Sequence, residues 1–204
     1  MGMFISGKKM QPKVFPVHPN SRMDEQVIAK GIREGSREAL GMLWREHSTK
    51  MLNLAFRMLK DRDRAEDILM DVFVGVPDAI RAFRGQSALG TWLYRLTVNA
   101  CLMKLRAEKR HGELEELNLD TIVEETLGKQ EAPRNDQFDP ELLQLGLNAL
   151  PAETRGMLWL KDAEDLDVKD LAEIYGMPDG TIKARLSRAR HFVKDYITEK
   201  LKNA

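Results

Sequence analysis

Apolar residues recur three and four positions apart along most of the chain, the spacing that gathers side chains on one face of an α-helix. Val27, Ile28, Ile32, Leu40, Leu43 and Trp44 begin the pattern, and Met51, Leu54, Ala55, Met58 and Leu59 continue it. In DRDRAEDILMDVF (61–73) the same period turns Ile68, Leu69, Val72 and Phe73 inward and Glu66, Asp67 and Asp71 outward. Pro77 is expected to end that helix, because it cannot donate the next backbone hydrogen bond. The connection FRGQSALG (83–90) leads into TWLYRLTVNACLMKLRAEKR (91–110), with Thr91 as the expected cap and Trp92, Leu93, Leu96 and Leu105 as its core stripe. Long Val/Ile/Thr runs are absent, so the pattern predicts an all-α protein.

Near the C-terminus, DVKDLAEIYGMPDGTIKARL (167–186) reads as two short helices around a tight break. The first runs from about Val168 to Tyr175, with Leu171, Ala172 and Ile174 as its apolar face. Gly176 can adopt the left-handed conformation that ends a helix, Pro178 cannot continue one, and Asp179 is a reasonable N-cap for the second. Along that second helix Ile182, Leu186, Ala189 and Val193 fall within one narrow arc. Opposite them lie Ala184, Ser187, Arg188 and His191, flanked by Lys183 and Arg190 on one side and Arg185 on the other, with no acid between Asp179 and Asp195. A helix-turn-helix places its second helix in the major groove, and small residues ringed by cations suit close approach to a polyanion.

Charge sharpens this picture because it is segregated. The 204 residues carry 32 Lys and Arg against 32 Asp and Glu. Residues 111–141 nevertheless hold ten acids and two bases, a net charge of −8, together with Pro133 and Pro140. The segment reads as an acidic flexible linker, in which ELEELNLDTIVEETL has the pattern of a short amphipathic helix, and it spans up to ~100 Å if extended. Residues 1–22 contain Lys8, Lys9, Lys13 and Arg22, three prolines and no acid, and read as a flexible basic leader. The domain organisation is then a leader (1–22), a helical domain (23–110), the linker (111–141) and a helix-turn-helix domain (142–204). With 43% hydrophobic and 31% charged residues, neither domain looks disordered. The single Cys101 cannot form an internal disulfide, and no apolar run suits a membrane span or a signal peptide, so a cytoplasmic protein without membrane contact of its own is expected.

AEDILMDVF, FRG, TWLYRLTVNACLMKLR and LNALPAETRGMLWL, followed by DLAEIYGMPDGTIKARLSRAR, occur in an order and spacing that resemble a bacterial sigma factor of the extracytoplasmic-function class, within the sigma-70 superfamily. The resemblance covers roughly residues 36–110 and 142–198. It implies a region 2 helical bundle and a region 4 helix-turn-helix, with core RNA polymerase, promoter DNA and an anti-sigma factor as partners and no cofactor. It makes Asp67, Met70, Asp71 and Phe73 candidates for docking on core polymerase, although such proteins usually have Gln at Met70, Glu at Asp71 and often Trp at Pro77. It assigns the minus-10 element to Asn99, Arg84, Gln86 and Ser87, with Lys104 and Arg106, and the neighbouring Lys109 and Arg110, on phosphates. Lys183, Ala184, Ser187, Arg188, Arg190 and His191 become candidates for the minus-35 element. Trp92 and Tyr94 suggest base stacking, but the spacing of Trp92 with Leu96 assigns it to the core. In such proteins the linker threads the polymerase towards the RNA exit path.

Enzyme chemistry has no foothold in the pattern. His18, His47, His111 and His191 lie in separate segments without metal-ligand spacing, no second cysteine accompanies Cys101, and no phosphate-binding loop or nucleophile elbow is present. From the residues alone the chain is a helical DNA-binding protein. A conventional regulator that never recruits polymerase is the alternative, as is an interaction protein serving a regulatory partner.

Overall fold

The computed structural model describes residues 22–110 and 139–202. The leader up to residue 21 and residues 111–138 of the acidic linker lie outside the described residues, and the expectations that fall on them with it. Among the described residues are eight α-helices and no strand. The first group comprises α1 (Arg22–Arg33), α2 (Arg37–Leu59), α3 (Arg62–Ala79), a short 3-10 turn (Ile80–Ala82) and α4 (Leu89–Arg110). The second comprises α5 (Pro140–Ala149), α6 (Ala152–Asp162), α7 (Val168–Tyr175) and α8 (Asp179–Lys202).

Short polar side chains set the helix starts. Ser36 accepts from the amide of Ala39 at 3.2 Å, Asp61 from Arg64 at 3.0 Å, Asp139 from Glu141 at 2.8 Å and Asp167 from Asp170 at 2.8 Å. Each satisfies an amide that the first turn of a helix leaves unpaired. Lys60 closes α2 in the left-handed conformation, at φ 59°, with its amide on the carbonyl of Phe56. That reversal leaves one residue, Asp61, before α3 begins.

Four local expectations are corrected. Pro77 lies inside α3, which continues to Ala79. In the last turn a proline removes only one bond, and the amide of Ile80 still reaches the carbonyl of Val76, so the ladder closes beyond the ring. Thr91 is not the cap of α4, which begins two residues earlier, where the amide of Leu89 donates to Glu25 of α1 at 3.0 Å. Asp179 is the first residue of α8 instead of its cap, a place where a carboxylate still meets the positive end of the helix. Val27 stands 48% exposed, outside the stripe formed by Ile28 and Ile32.

The predicted stripes otherwise form the core. Leu43, Met51, Leu54, Met58, Ile80, Leu89 and Leu93 are essentially inaccessible in the first group, as are Met157, Leu160, Leu171 and Ile174 in the second. The two groups also pack on each other, α6 against α2 and α7 against α4, so that their buried residues form one continuous cluster. The separation that the linker's length permits is not adopted here.

His47, on α2, packs its ring against Gly90, where an added Cβ would lie 3.2 Å from Cε1. Burial, reinforced by Lys50, lowers its pKa from 6.5 to about 4. The unfolded chain therefore takes up a proton at a pH where the folded chain does not. Stability is complete above about pH 6.5 and is lost as pH falls towards 4, by an amount on the order of 1–3 kcal/mol. Urea midpoints for wild type and His47→Gln between pH 7.5 and 5 measure it: the wild type loses more stability than the variant on acidification, and equal slopes would show that His47 is not the titrating group.

Candidate nucleic-acid interface

Two stretches of this fold present exposed cations beside polar groups suited to base edges. In the second group of helices, Gly176 takes φ +64° and its amide, with that of Met177, bonds the carbonyl of Ala172. This turn directs α8 across α7. Ile182, Leu186, Ala189 and Val193 are buried as the arc requires, which leaves Lys183, Ala184, Ser187, Arg190 and His191 exposed and Arg188 half-buried.

The cations of α8 then divide. Arg185 donates to Glu153 of α6 at 2.8 Å, and Arg190 donates to Asp162 at the end of α6 at 2.6 Å. Part of the charge that makes this helix conspicuous in sequence therefore ties it to its own scaffold. Arg190 and Asp162 are each about half exposed, at 49%, so a phosphate can exchange with the carboxylate without unburying either. Arg188 bonds back to the carbonyl of Ala184 at 3.4 Å, and the Nδ1 of His191 lies 2.8 Å from the carbonyl of Ser187. Exposed Ala184 and Ser187 give the helix a low-relief face, with Lys183 and Arg190 along one flank and Arg185 along the other.

The second stretch is the loop before α4 and the outer face of that helix. Arg84 and Gln86 are exposed, whereas Ser87 is buried. The loop is held at both ends by α1. Arg33 donates to the carbonyls of Ile80, at 3.1 Å, and Phe83, and Glu25 takes the amide of Leu89. Gly85, at φ +70°, makes the sharp reversal between these ties. A cavity of about 520 Å³ opens there, between Gln26, Lys30 and Arg33 on one side and Phe83, Arg84 and Gly85 on the other. Farther along α4, Asn99, Lys104 and Arg106 are exposed. Trp92 and Tyr94 are buried, Trp92 against the ring of Phe83 at 5.4 Å, so neither offers a free stacking face.

On α3, Asp67, Met70 and Asp71 are exposed, while Phe73 is buried with its ring edge-on to Trp44 at 4.7 Å. Phe73 shapes this surface from beneath. Met70 and Val74, one helical turn apart and 53% and 75% exposed, form an apolar ridge. Asp67, Met70 and Asp71 also line a depression of about 280 Å³ with Arg64 and Lys104, which brings candidates of two different assignments to one surface. An ion pair between Arg64 and Glu108 braces α3 against α4 beside it.

Sequence reasoning passed over Glu25, Arg33, Glu153 and Asp162, whose partners lie 28 to 64 residues away and leave no local signal. Val74 had one, an apolar residue four positions after Met70 on an otherwise polar face. Cys101 is buried, and burial pushes its thiol up to about 12, which makes it a core residue and a poor nucleophile. Among the described residues no His, Cys, Asp or Glu cluster could hold a metal ion, and no helix is long and apolar enough to cross a membrane.

The two groups of helices coincide with two known sequence families. Residues 43–111 match the family Sigma-70 region 2, and residues 141–192 match Sigma-70, region 4. The chain is 27% identical over 183 residues to an ECF RNA polymerase sigma-E factor of Haemophilus influenzae, covering 86% of this chain and 96% of that one. It is 29% identical over 171 residues to the ECF RNA polymerase sigma factor SigM of Mycobacterium tuberculosis, covering 84% and 83%. Among solved structures, CnrH in complex with the cytosolic domain of CnrY superposes with a TM-score of 0.59 at 16% identity, over 84% of this chain and 95% of that one. The sigma factor RpoE of Bartonella quintana, in complex with the anti-sigma factor NepR, gives 0.53 at 21% identity, over 86% and 95%. At these identities the superpositions speak for the fold alone.

Proposed function

We propose, for a chain that belongs to the sigma-70 family and within it to the extracytoplasmic-function (ECF) class, a sigma factor's division of labour over the surfaces just described. The protein binds core RNA polymerase and directs it to promoters, and it performs no catalysis of its own. The observation that carries this reading is the presence in one chain of an exposed acidic and apolar ridge on α3, a clamped loop leading into α4, and an outward basic arc on α8.

Asp67, Met70 and Asp71 dock on the polymerase, with Val74 extending the apolar ridge and Phe73 supporting it from the core. Opening a promoter requires unstacked bases to be held by groups that reach their edges. Asn99 both donates and accepts, as base edges demand, and Arg84 and Gln86 are exposed on the loop that leads into the same helix. Ser87, being buried, acts by shaping that loop. Lys104 and Arg106 contact phosphates, which position DNA without specifying sequence. The face of α8 from Lys183 to His191 enters the major groove at the minus-35 element. The protein works in the cytoplasm, where its polymerase is. An anti-sigma factor restrains it, as NepR is bound to the RpoE chain that shares this fold.

Co-purification with core polymerase separates this function from that of a conventional regulator. The chain forms a stoichiometric complex with the core enzyme, and a helix-turn-helix regulator without a docking surface does not. Asp71→Arg reverses charge on the docking helix and weakens that complex, roughly tenfold or more in competition against a second sigma factor, a loss of about 1.4 kcal/mol. Unchanged competition would remove α3 from the docking surface.

The arc of α8 divides by chemistry. Arg188 lies at its centre, where a guanidinium reaches the O6 and N7 of guanine together, so Arg188→Ala costs about 1–3 kcal/mol on the preferred promoter and blunts the preference at one base pair. Arg190→Ala weakens all sequences about equally and lowers the salt slope by roughly one. Binding of single-base promoter variants at several salt concentrations checks both. A uniform loss for Arg188→Ala would mean that this helix grips the backbone without reading it.

A further inference from the structure

Where α7 and the turn before it meet α4 and the neighbouring part of α2, the polar chemistry is one-sided. The groups that reach across there from the first group are donors, Lys50 of α2 and Thr91, Tyr94 and Arg95 of α4, and their partners are carboxylates of the second. Tyr94 donates to Glu164 at 3.1 Å, Lys50 lies 3.2 Å from the same carboxylate, Thr91 donates to Asp170 at 3.3 Å, and Arg95 faces Glu173 at 4.0 Å. Glu164 sits in the turn after α6, and Asp170 and Glu173 lie on α7. Donors on the start of α4 and the adjoining end of the bundle are also what an anionic strand would engage, beside the loop and Asn99 on the same helix.

The rest of the contact is shaped for closure. Gly156 of α6 lies so near α2 that an added Cβ would stand 2.8 Å from Cγ of Met58 and 3.2 Å from the hydroxyl of Tyr175. Arg155 beside it donates to the carbonyls of Arg57 and Met58 at the end of α2. Arg57 in turn donates to Gln144 at 2.8 Å and lies over the ring of Trp159 at 4.5 Å.

We infer that the second domain is an intramolecular inhibitor of the first: in the free protein Glu164, Asp170 and Glu173 occupy a nucleic-acid site at the start of α4, and this closed state must open before promoter DNA is held. The inference rests on the assignment of α4 to the minus-10 element. None of the three carboxylates belongs to the surfaces assigned to DNA or polymerase, so they can be altered without removing a reading residue.

The test uses the full chain with spin labels on cysteines introduced at the exposed positions Lys30 and Lys194, Cys101 being buried. The wild-type protein gives one narrow distance. The isosteric triple variant Glu164→Gln, Asp170→Asn, Glu173→Gln gives a longer and broader distribution. It also binds a mixed-sequence single-stranded DNA oligonucleotide roughly tenfold more tightly, the scale that three partly exposed polar contacts supply together. Lys50→Glu, which sets like charges against each other, opens the protein as well, and adding Glu164→Lys restores the narrow distance; this pair keeps the test valid should the triple variant misfold. A broad distribution in the wild type, a narrow one in the triple variant or in Lys50→Glu, or opening without a gain in DNA affinity overturns the inference. Co-purification with core polymerase does not depend on these acids. A chain that binds core but shows no latch loses this inference alone, and a latched chain that never binds core loses the function proposed above.

Discussion

The carbonyls at the end of a helix need donors, and at the end of α2 they find one from another part of the chain. Lys60 turns back to serve Phe56, but Arg57 and Met58 are served by the guanidinium of Arg155, which is only 5% exposed. The same guanidinium takes the carbonyls of Asn148, at 3.2 Å, and Leu150, at 2.8 Å, at the end of α5. The ammonium of Lys60 adds a further bond to Asn148. Two helix C-termini, each the negative end of its dipole, thus converge on one buried cation, which is how a charge is accommodated away from water. Removing it would leave carbonyls of both helices without a donor. The packing of α6 on α2, and with it the placement of α7 on α4, depends on this bond set.

That constraint explains why the structure is compact while its sequence looks divided. A linker able to span ~100 Å imposes no distance on the domains it joins; the side chains at the junction do. They bring acids of the second domain onto donors of the first, and leave the outward arc of α8 and the ridge on α3 exposed. At the face between α7 and α4 the contact is polar, with several pairs partly open to water, and such pairs are individually weak. A contact of this kind suits a state that a large partner reverses.

What the sequence made legible follows from what is local. The break at Gly176 to Pro178 depends on backbone preferences of single residues, so the helix from Val168 to Tyr175 was readable to the residue and the start of the next, at Asp179, to within one. The arc from Ile182 to Val193 was readable for the same reason, since period alone decides it. Pro77 misled because a proline's effect depends on how much helix remains beyond it, which is a tertiary matter. The site was half legible. The exposed positions on α3, α4 and α8 could be placed by period and resemblance, and period already turned Phe73 inward, but Ser87 is buried where an exposed loop residue was expected. Arg155 and Arg33 carried no signal, because an arginine that gathers carbonyls from nearly a hundred or fifty residues away looks in sequence like any other.

The proposed function joins a polymerase-docking helix to two promoter-reading surfaces in one chain. In vitro transcription decides it, with purified core polymerase, the full chain and a genomic promoter library, read by start-site mapping. A discrete set of new start sites is expected that share an upstream and a downstream element, require this chain and weaken with Arg188→Ala. Start sites unchanged from those of core polymerase alone, with the chain bound to DNA, would contradict it and leave a DNA-binding protein that does not direct transcription.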